Sequence, residues 1–235
     1  MASDQATDQA TDQAVPAPTR SSRWLPAALV AVIAVGLLVA GGGLAVALGI
    51  GRTDEPAADS VSAGFAQDMS RHHLQAVEMA NLALQRTEDP EVRQLAFDIS
   101  ATQTGQTGRM QGWLSLWGLP ATNRDVMAWM SGAGHADHAM TDDSTTRGGL
   151  MPGMATEDEL AELRSLTGTE FDVMFLQLMT RHHQGGLEMA EYGEEHAEVD
   201  VVRGLARLIA QTQTAETTTM EAMIRERGGS PLPAP

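Results

Sequence analysis

The sequence predicts an all-α protein: an antiparallel four-helix bundle made from two copies of one helical hairpin, preceded by a transmembrane helix. Three observations carry this. First, Met69-Ser70-Arg71-His72-His73 recurs as Met179-Thr180-Arg181-His182-His183, each copy followed by Glu-Met-Ala at 78–80 and 188–190. The offset, 182 − 72 = 110, holds without a gap through Val92/Val202, Ile99/Ile209, Gln103/Gln213 and Met110/Met220 to Gly118/Gly228, which marks an internal duplication. Second, apolar residues in each copy recur at three- and four-residue steps, the period of a helix with one buried face. Two such hairpins cannot bury their inner faces alone and must pack together. Third, Leu25–Ile50 is a run of 26 residues without a charge, more than the ~20 needed to cross a bilayer core.

Taken in order, residues 1–23 begin with ASDQ-ATDQ-ATDQ, a polar repeat with nothing to bury, expected to be a disordered cytoplasmic tail. Residues 24–51 are the expected anchor. Arg20 and Arg23 lie on its near side and Asp54, Glu55 and Asp59 beyond Arg52, so the amino terminus is placed in the cytoplasm and the rest outside. The competing reading is a signal peptide cleaved near Ala45-Val46-Ala47, with a secreted product. The apolar run is long for the ~7–15 residues usual in a signal sequence. Residues 52–60 form a Pro/Ala/Asp linker. A first helix over about 61–88 aligns Phe65, Met69, His72, His73, Ala76, Met79, Ala80 and Ala83. Asp89-Pro90 reads as an N-cap and first-turn proline, so a tight turn starts a second helix that ends at Gly118-Leu119-Pro120. The connection 119–168 breaks the periodicity until Thr156-Glu157-Asp158-Glu159 supplies a capping box for a short helix. The second hairpin spans about 170–227, and 229–235 is a tail.

Composition narrows the chemistry. With no cysteine, neither disulfides nor thiolate metal sites exist. A net charge of −16 and a pI near 4.6 argue against nucleic acid as a partner and raise the local concentration of cations. Fourteen methionines stand against one tyrosine and four phenylalanines. Methionine is a flexible core filler, but its thioether is also a ligand for soft metals, and the count alone does not separate the two.

The chemistry of the duplication lies in its paired histidines. At about 100° per residue His72 and His73 straddle one apolar face with Met69 a turn before and Met79 nearly two turns after, while Glu78 falls on the far side. Met179, His182, His183 and Met189 repeat this. Imidazole binds copper, zinc, iron and nickel, and thioether suits Cu(I). Four imidazoles near an apolar interior without a partner would cost several kcal/mol, and a metal removes that cost. The set expected to bind it is His72, His73, His182, His183, Met69, Met179, Met79 and Met189, as one shared site or two. Hydrogen-bonded core histidines without metal are the alternative. Gln103 and Gln213, on the inner stripes of the second and fourth helices, either orient an imidazole or bond each other's helices. Glu216, aligned with Gln106, is a further candidate for orienting an imidazole; the alternatives are a hard ligand and, favoured of those two, a solvated carboxylate. In the connection, Met130, His135, His138 and Met140 form either an accessory metal-capturing segment or a glycine-rich loop.

The pattern F-x₃-M-x₂-H-H-x₄-E-M-A, duplicated, with a later glutamine in the paired helix, resembles the DUF305 family, in particular its membrane-anchored bacterial members. Met151-Pro152-Gly153-Met154-Ala155-Thr156 and His182-His183-Gln184-Gly185-Gly186 extend the resemblance over roughly residues 60–228. It implies a ferritin-like four-helix fold and, as in some members, copper binding and copper tolerance outside the cytoplasm. It also implies His72, His73, His182 and His183, with Met69 and Met179, as ligands. The family often has glutamate where this chain has Gln106, which puts equal binding by the two halves in doubt.

Three functions compete. The leading one is a membrane-anchored extracytoplasmic protein that buffers or sequesters copper, Cu(I) above other transition metals. A homo-oligomer is compatible with it. The second is a metal-free interaction domain whose core histidines respond to pH. The third is a di-iron oxidase, which needs Glu-x-x-His on two helices. The residues three before His72, His73, His182, His183 and His196 are Met69, Ser70, Met179, Thr180 and Gly193, none acidic, so no enzyme is expected.

Overall fold

The computed structural model describes residues 24–47, 55–131 and 149–235. The expected disordered tail 1–23, and with it His135, His138 and Met140 of the connection, lie outside the described residues. The chain divides into two units, Met1–Asp54 and Glu55–Pro235. In the first, α1 runs from Trp24 to Ala47, and its side chains over residues 28–44 are exposed. Among the described residues no helix is long and apolar enough to cross a membrane.

The second unit is all-helical, with no strand among the described residues: α2 (Val61–Arg86), α3 (Pro90–Leu116), a 3₁₀ turn (Ala128–Met130), α4 (Glu157–Ser165), α5 (Gly168–His196) and α6 (Asp200–Glu226). The local signals explain the boundaries. Asp89 caps α3, accepting from the N–H groups of Glu91 (2.9 Å) and Val92 (3.3 Å) ahead of a first-turn proline. Thr156 and Glu159 form the reciprocal capping box of α4. Three-residue turns close the α2–α3 and α5–α6 hairpins.

The hairpins meet through α2 and α5. Met69 and Met189 share one apolar cluster, with Phe65, Met110, Leu114 and Ile209. Met79 and Met179 share the other, with Ile99, Phe171, Phe175 and Met220. A residue early in α2 therefore sits with one late in α5, so the two helices run antiparallel. The ends are tied accordingly. The Glu198 carboxylate in the α5–α6 turn accepts from Val61 N (3.1 Å), Ser62 N (3.0 Å) and Ser62 Oγ (2.7 Å) at the start of α2. At the other end Arg227 donates to Asp89 at 2.6 Å. The tail beyond Gly228 folds back, with Gln177 donating to the Ser230 carbonyl at 2.6 Å. Between the two apolar clusters lies the layer of paired histidines.

The part of the connection that follows α3 packs onto α2. Asp68 on α2, 2% exposed, accepts from Met127 N (2.8 Å) and Trp129 Nε1 (2.9 Å). This holds Met127 in a left-handed conformation at φ 63°, uncommon for a residue other than glycine. Gly64 leaves room for the Trp129 ring, which would lie 2.4 Å from a Cβ there. Met130 packs against the cluster around Phe65.

Candidate metal centre

His72, His73, His182 and His183 are all fully buried. Helical periodicity puts each pair on the inner face of its helix, and the antiparallel crossing of α2 and α5 brings the pairs together. The His72 and His182 rings lie 3.8 Å apart, centroid to centroid, tilted by 37°. Gly186 lies beside this approach: a Cβ there would stand 2.7 Å from Gln213 Oε1 and 3.0 Å from His72 Cε1. The duplicate position in α2 is Ala76.

Three imidazoles have one partner each. His72 Nε2 lies 3.1 Å from the Pro152 carbonyl, His73 Nε2 2.7 Å from Gln106 Oε1, and His183 Nε2 2.7 Å from Glu216 Oε2. Five ring nitrogens are buried without a hydrogen-bond partner: Nδ1 of all four rings and Nε2 of His182. Each such group costs roughly 1–3 kcal/mol. Burial removes the hydration a cationic ring needs, so it lowers His72 to about 4 against the pull of the Pro152 carbonyl. It lowers His73 to about 3, aided by repulsion from His72. His182 is pushed well below the ordinary value by burial and by the neighbouring rings. His72, His73 and His182 are therefore neutral nitrogen bases with unused lone pairs, in a layer flanked on either side by a pair of buried thioethers.

Those donors fit a soft metal by type. Among the described residues, however, no group of three or more histidines or carboxylates is arranged around a common point as a cation site.

The sequence-predicted second-layer residues are redistributed. Gln103 and Gln213 are buried, but Gln103 Oε1 and both ends of the Gln213 amide have no hydrogen-bond partner. The imidazoles are held instead by Gln106 and Glu216. Glu216, one of the candidates for that role, has a side chain only 17% exposed, with Oε2 2.7 Å from His183 Nε2. The reason is geometric: residues 33 apart meet across each hairpin, a contact helical periodicity within one element does not reveal. Pro152 was also missed. It belongs to a strap, residues 149–155, that crosses α2 and α5. Gln75 grips the strap twice, donating to the Ala155 carbonyl (2.9 Å) and accepting from its N–H (2.8 Å). Arg71 donates to the Gly149 carbonyl at 3.3 Å. On α5 the strap rests on Gly185, where a Cβ would fall 2.1 Å from the Pro152 oxygen.

Fold and site together define a class: a duplicated helical protein with a buried layer of paired imidazoles under a short methionine-containing strap. A family model described as a domain of unknown function, DUF305, matches residues 62–224. The chain belongs to the DUF305 family. Among solved structures it is similar to a DUF305 protein from Streptomyces coelicolor described as secreted: 43% identity, TM-score 0.66, covering 75% of this chain and 99% of that one. It is also similar to a DUF305 fragment from Deinococcus radiodurans at 33% identity, TM-score 0.57, covering 71% and 96%. A third is CopM in its Cu(II)-bound form, at 26% identity, TM-score 0.54, covering 71% and 97%. No curated protein matches the chain.

Proposed function

We propose that this protein is a membrane-anchored, extracytoplasmic metal-binding protein on a ferritin-like four-helix frame. It buffers or sequesters copper and is not an enzyme. The observation that carries this reading is the layer of four fully buried imidazoles with five unpartnered ring nitrogens. Such a layer is costly without a ligand and well suited to one that accepts lone pairs. His72, His73, His182 and His183 are the nitrogen donors, with Met69, Met179, Met79 and Met189 as the thioethers that favour Cu(I). The acidic balance of the chain draws cations rather than nucleic acid. Similarity to CopM, solved with Cu(II) bound, supports the metal. Similarity to a relative described as secreted supports the location. The uncharged run around α1 is read as the anchor.

The test is a Cu(I) titration of the full chain in detergent, under a competing chelator, beside a variant with His72, His73, His182 and His183 all changed to alanine. Tight binding that disappears in the variant is the expected result. Binding that survives would move the site to Met130, His135, His138 and Met140 in the connection. Absence of binding by either protein would sink the copper reading. A metal-free core sensitive to pH would then take its place, favoured by the depressed values of His72, His73 and His182. A thermal midpoint that copper leaves unmoved would point the same way, because a ligand of the native state must raise it.

A further inference from the structure

The partners of His72, His73 and His183 have a feature in common. The Pro152 carbonyl, the Gln106 amide oxygen and the Glu216 carboxylate can only accept, so in all three contacts the ring donates Nε2–H. A neutral imidazole has one N–H. With the proton on Nε2, Nδ1 is left as a bare lone pair. The Nδ1 atoms of these three rings are buried and unpartnered.

We infer that Nδ1 is the atom His72, His73 and His183 present to a metal, and that Gln106 and Glu216 are positioning residues that enforce this by holding Nε2–H. The inference rests on the copper reading above. The same register serves both halves, 106 − 73 = 33 and 216 − 183 = 33, so the duplication repeats the holder along with the ring. The holders differ in charge. A carboxylate makes the imidazole it holds a stronger donor and sets a negative charge near the bound cation, and an amide does neither. The α5–α6 half is therefore the tighter of the two. No side chain holds either nitrogen of His182.

The test is long-range ¹H–¹⁵N correlation spectroscopy on the full chain in detergent, labelled with ¹⁵N-histidine, first without metal and then with Cu(I). Before metal is added, His72, His73 and His183 should be Nε2–H tautomers. Copper should then move their Nδ1 resonances and leave the Nε2–H protons in place. Glu216→Gln, which still offers an oxygen, should keep the tautomer and weaken Cu(I) binding about tenfold. Glu216→Leu should let His183 populate the Nδ1–H form and weaken binding further. Nδ1–H tautomers in the metal-free protein overturn the inference, as does a Glu216→Leu protein with unchanged His183 tautomer and Cu(I) affinity. Correct tautomers with no ring nitrogen moved by copper overturn the copper reading and, with it, the ligand role. The two failures are distinguishable because the tautomers are read before any metal is present.

Discussion

The two hairpins carry the same histidine pair on the same helix face, yet their surroundings differ at matched positions. Gln106 in the first half answers to Glu216 in the second, Ala76 to Gly186, Gln75 to Gly185 and Asp68 to Leu178. Two of these differences, at 75/185 and 68/178, fall where one copy of something must sit on a nearly two-fold frame. The strap 149–155 exists once, so it cannot contact both halves alike: α2 holds it with the Gln75 side chain, and α5 admits its backbone at Gly185. The segment 127–129 also exists once. It docks on Asp68, whose counterpart Leu178 is buried in the apolar cluster at the other end. Duplication repeats what lies within a hairpin, and each unrepeated segment breaks the symmetry where it lands.

The largest effect should come from acid, which tests what the halves share. His72 and His73 titrate in the fold at about 4 and about 3 against an ordinary 6.5. Between those values the unfolded chain binds protons that the folded chain does not. Stability is therefore complete above pH 6.5 and falls as pH drops from 6.5 toward about 3. Urea-unfolding midpoints measured between pH 7.5 and 4 should decline on the acid side. A flat profile would mean the rings are not buried neutral.

Next in size is Gly185→Ala. The new Cβ would meet only backbone, 2.1 Å from Pro152 O and 2.7 Å from Gly153 N, so the strap must lift at a cost of about 3 kcal/mol. The matched substitution Gln75→Ala removes two hydrogen bonds without a clash and should cost about 2 kcal/mol. Equal losses in denaturant unfolding would show that the strap is held alike on both sides, against the structure.

Asp68→Ala should cost about 2 kcal/mol through the loss of the acceptor for Met127 N and Trp129 Nε1. Tryptophan fluorescence should shift to the red as Trp129 leaves its site. An unshifted spectrum would show that Gly64 and the aromatic neighbours Phe65 and Tyr192 hold it without Asp68. The smallest effect is that of Gly186→Ala, about 1 kcal/mol, since the Cβ meets only the movable ends of Gln213 and His72. It should make α5 resemble α2, and a loss larger than that of Gly185→Ala would mean that the His72–His182 approach, not the strap, is the tighter fit.

How far the sequence could be read follows from distance along the chain. The Asp89-Pro90 turn and the Thr156/Glu159 capping box were legible because both are settled within a few residues. The placement of His72, His73, His182 and His183 on inner faces was legible from periodicity. Glu216 was legible only as a candidate for orienting an imidazole, because the ring it meets is set by a contact 33 residues away. Asp68 and Gly185 carry no local signal of what they do, because what each meets lies in the connection.

By itself, then, the sequence determined the helices, their caps, the duplication and which face of each helix points inward, since these follow from local conformational preference and a repeat of apolar residues. Only the tertiary structure decided which nitrogen of His72, His73 and His183 is engaged, which group engages it, and how a single strap lies across two similar halves. Those outcomes depend on contacts between elements brought together by burial, and a buried hydrogen bond is set to a few tenths of an ångström by the packing of the whole layer rather than by its neighbours in sequence.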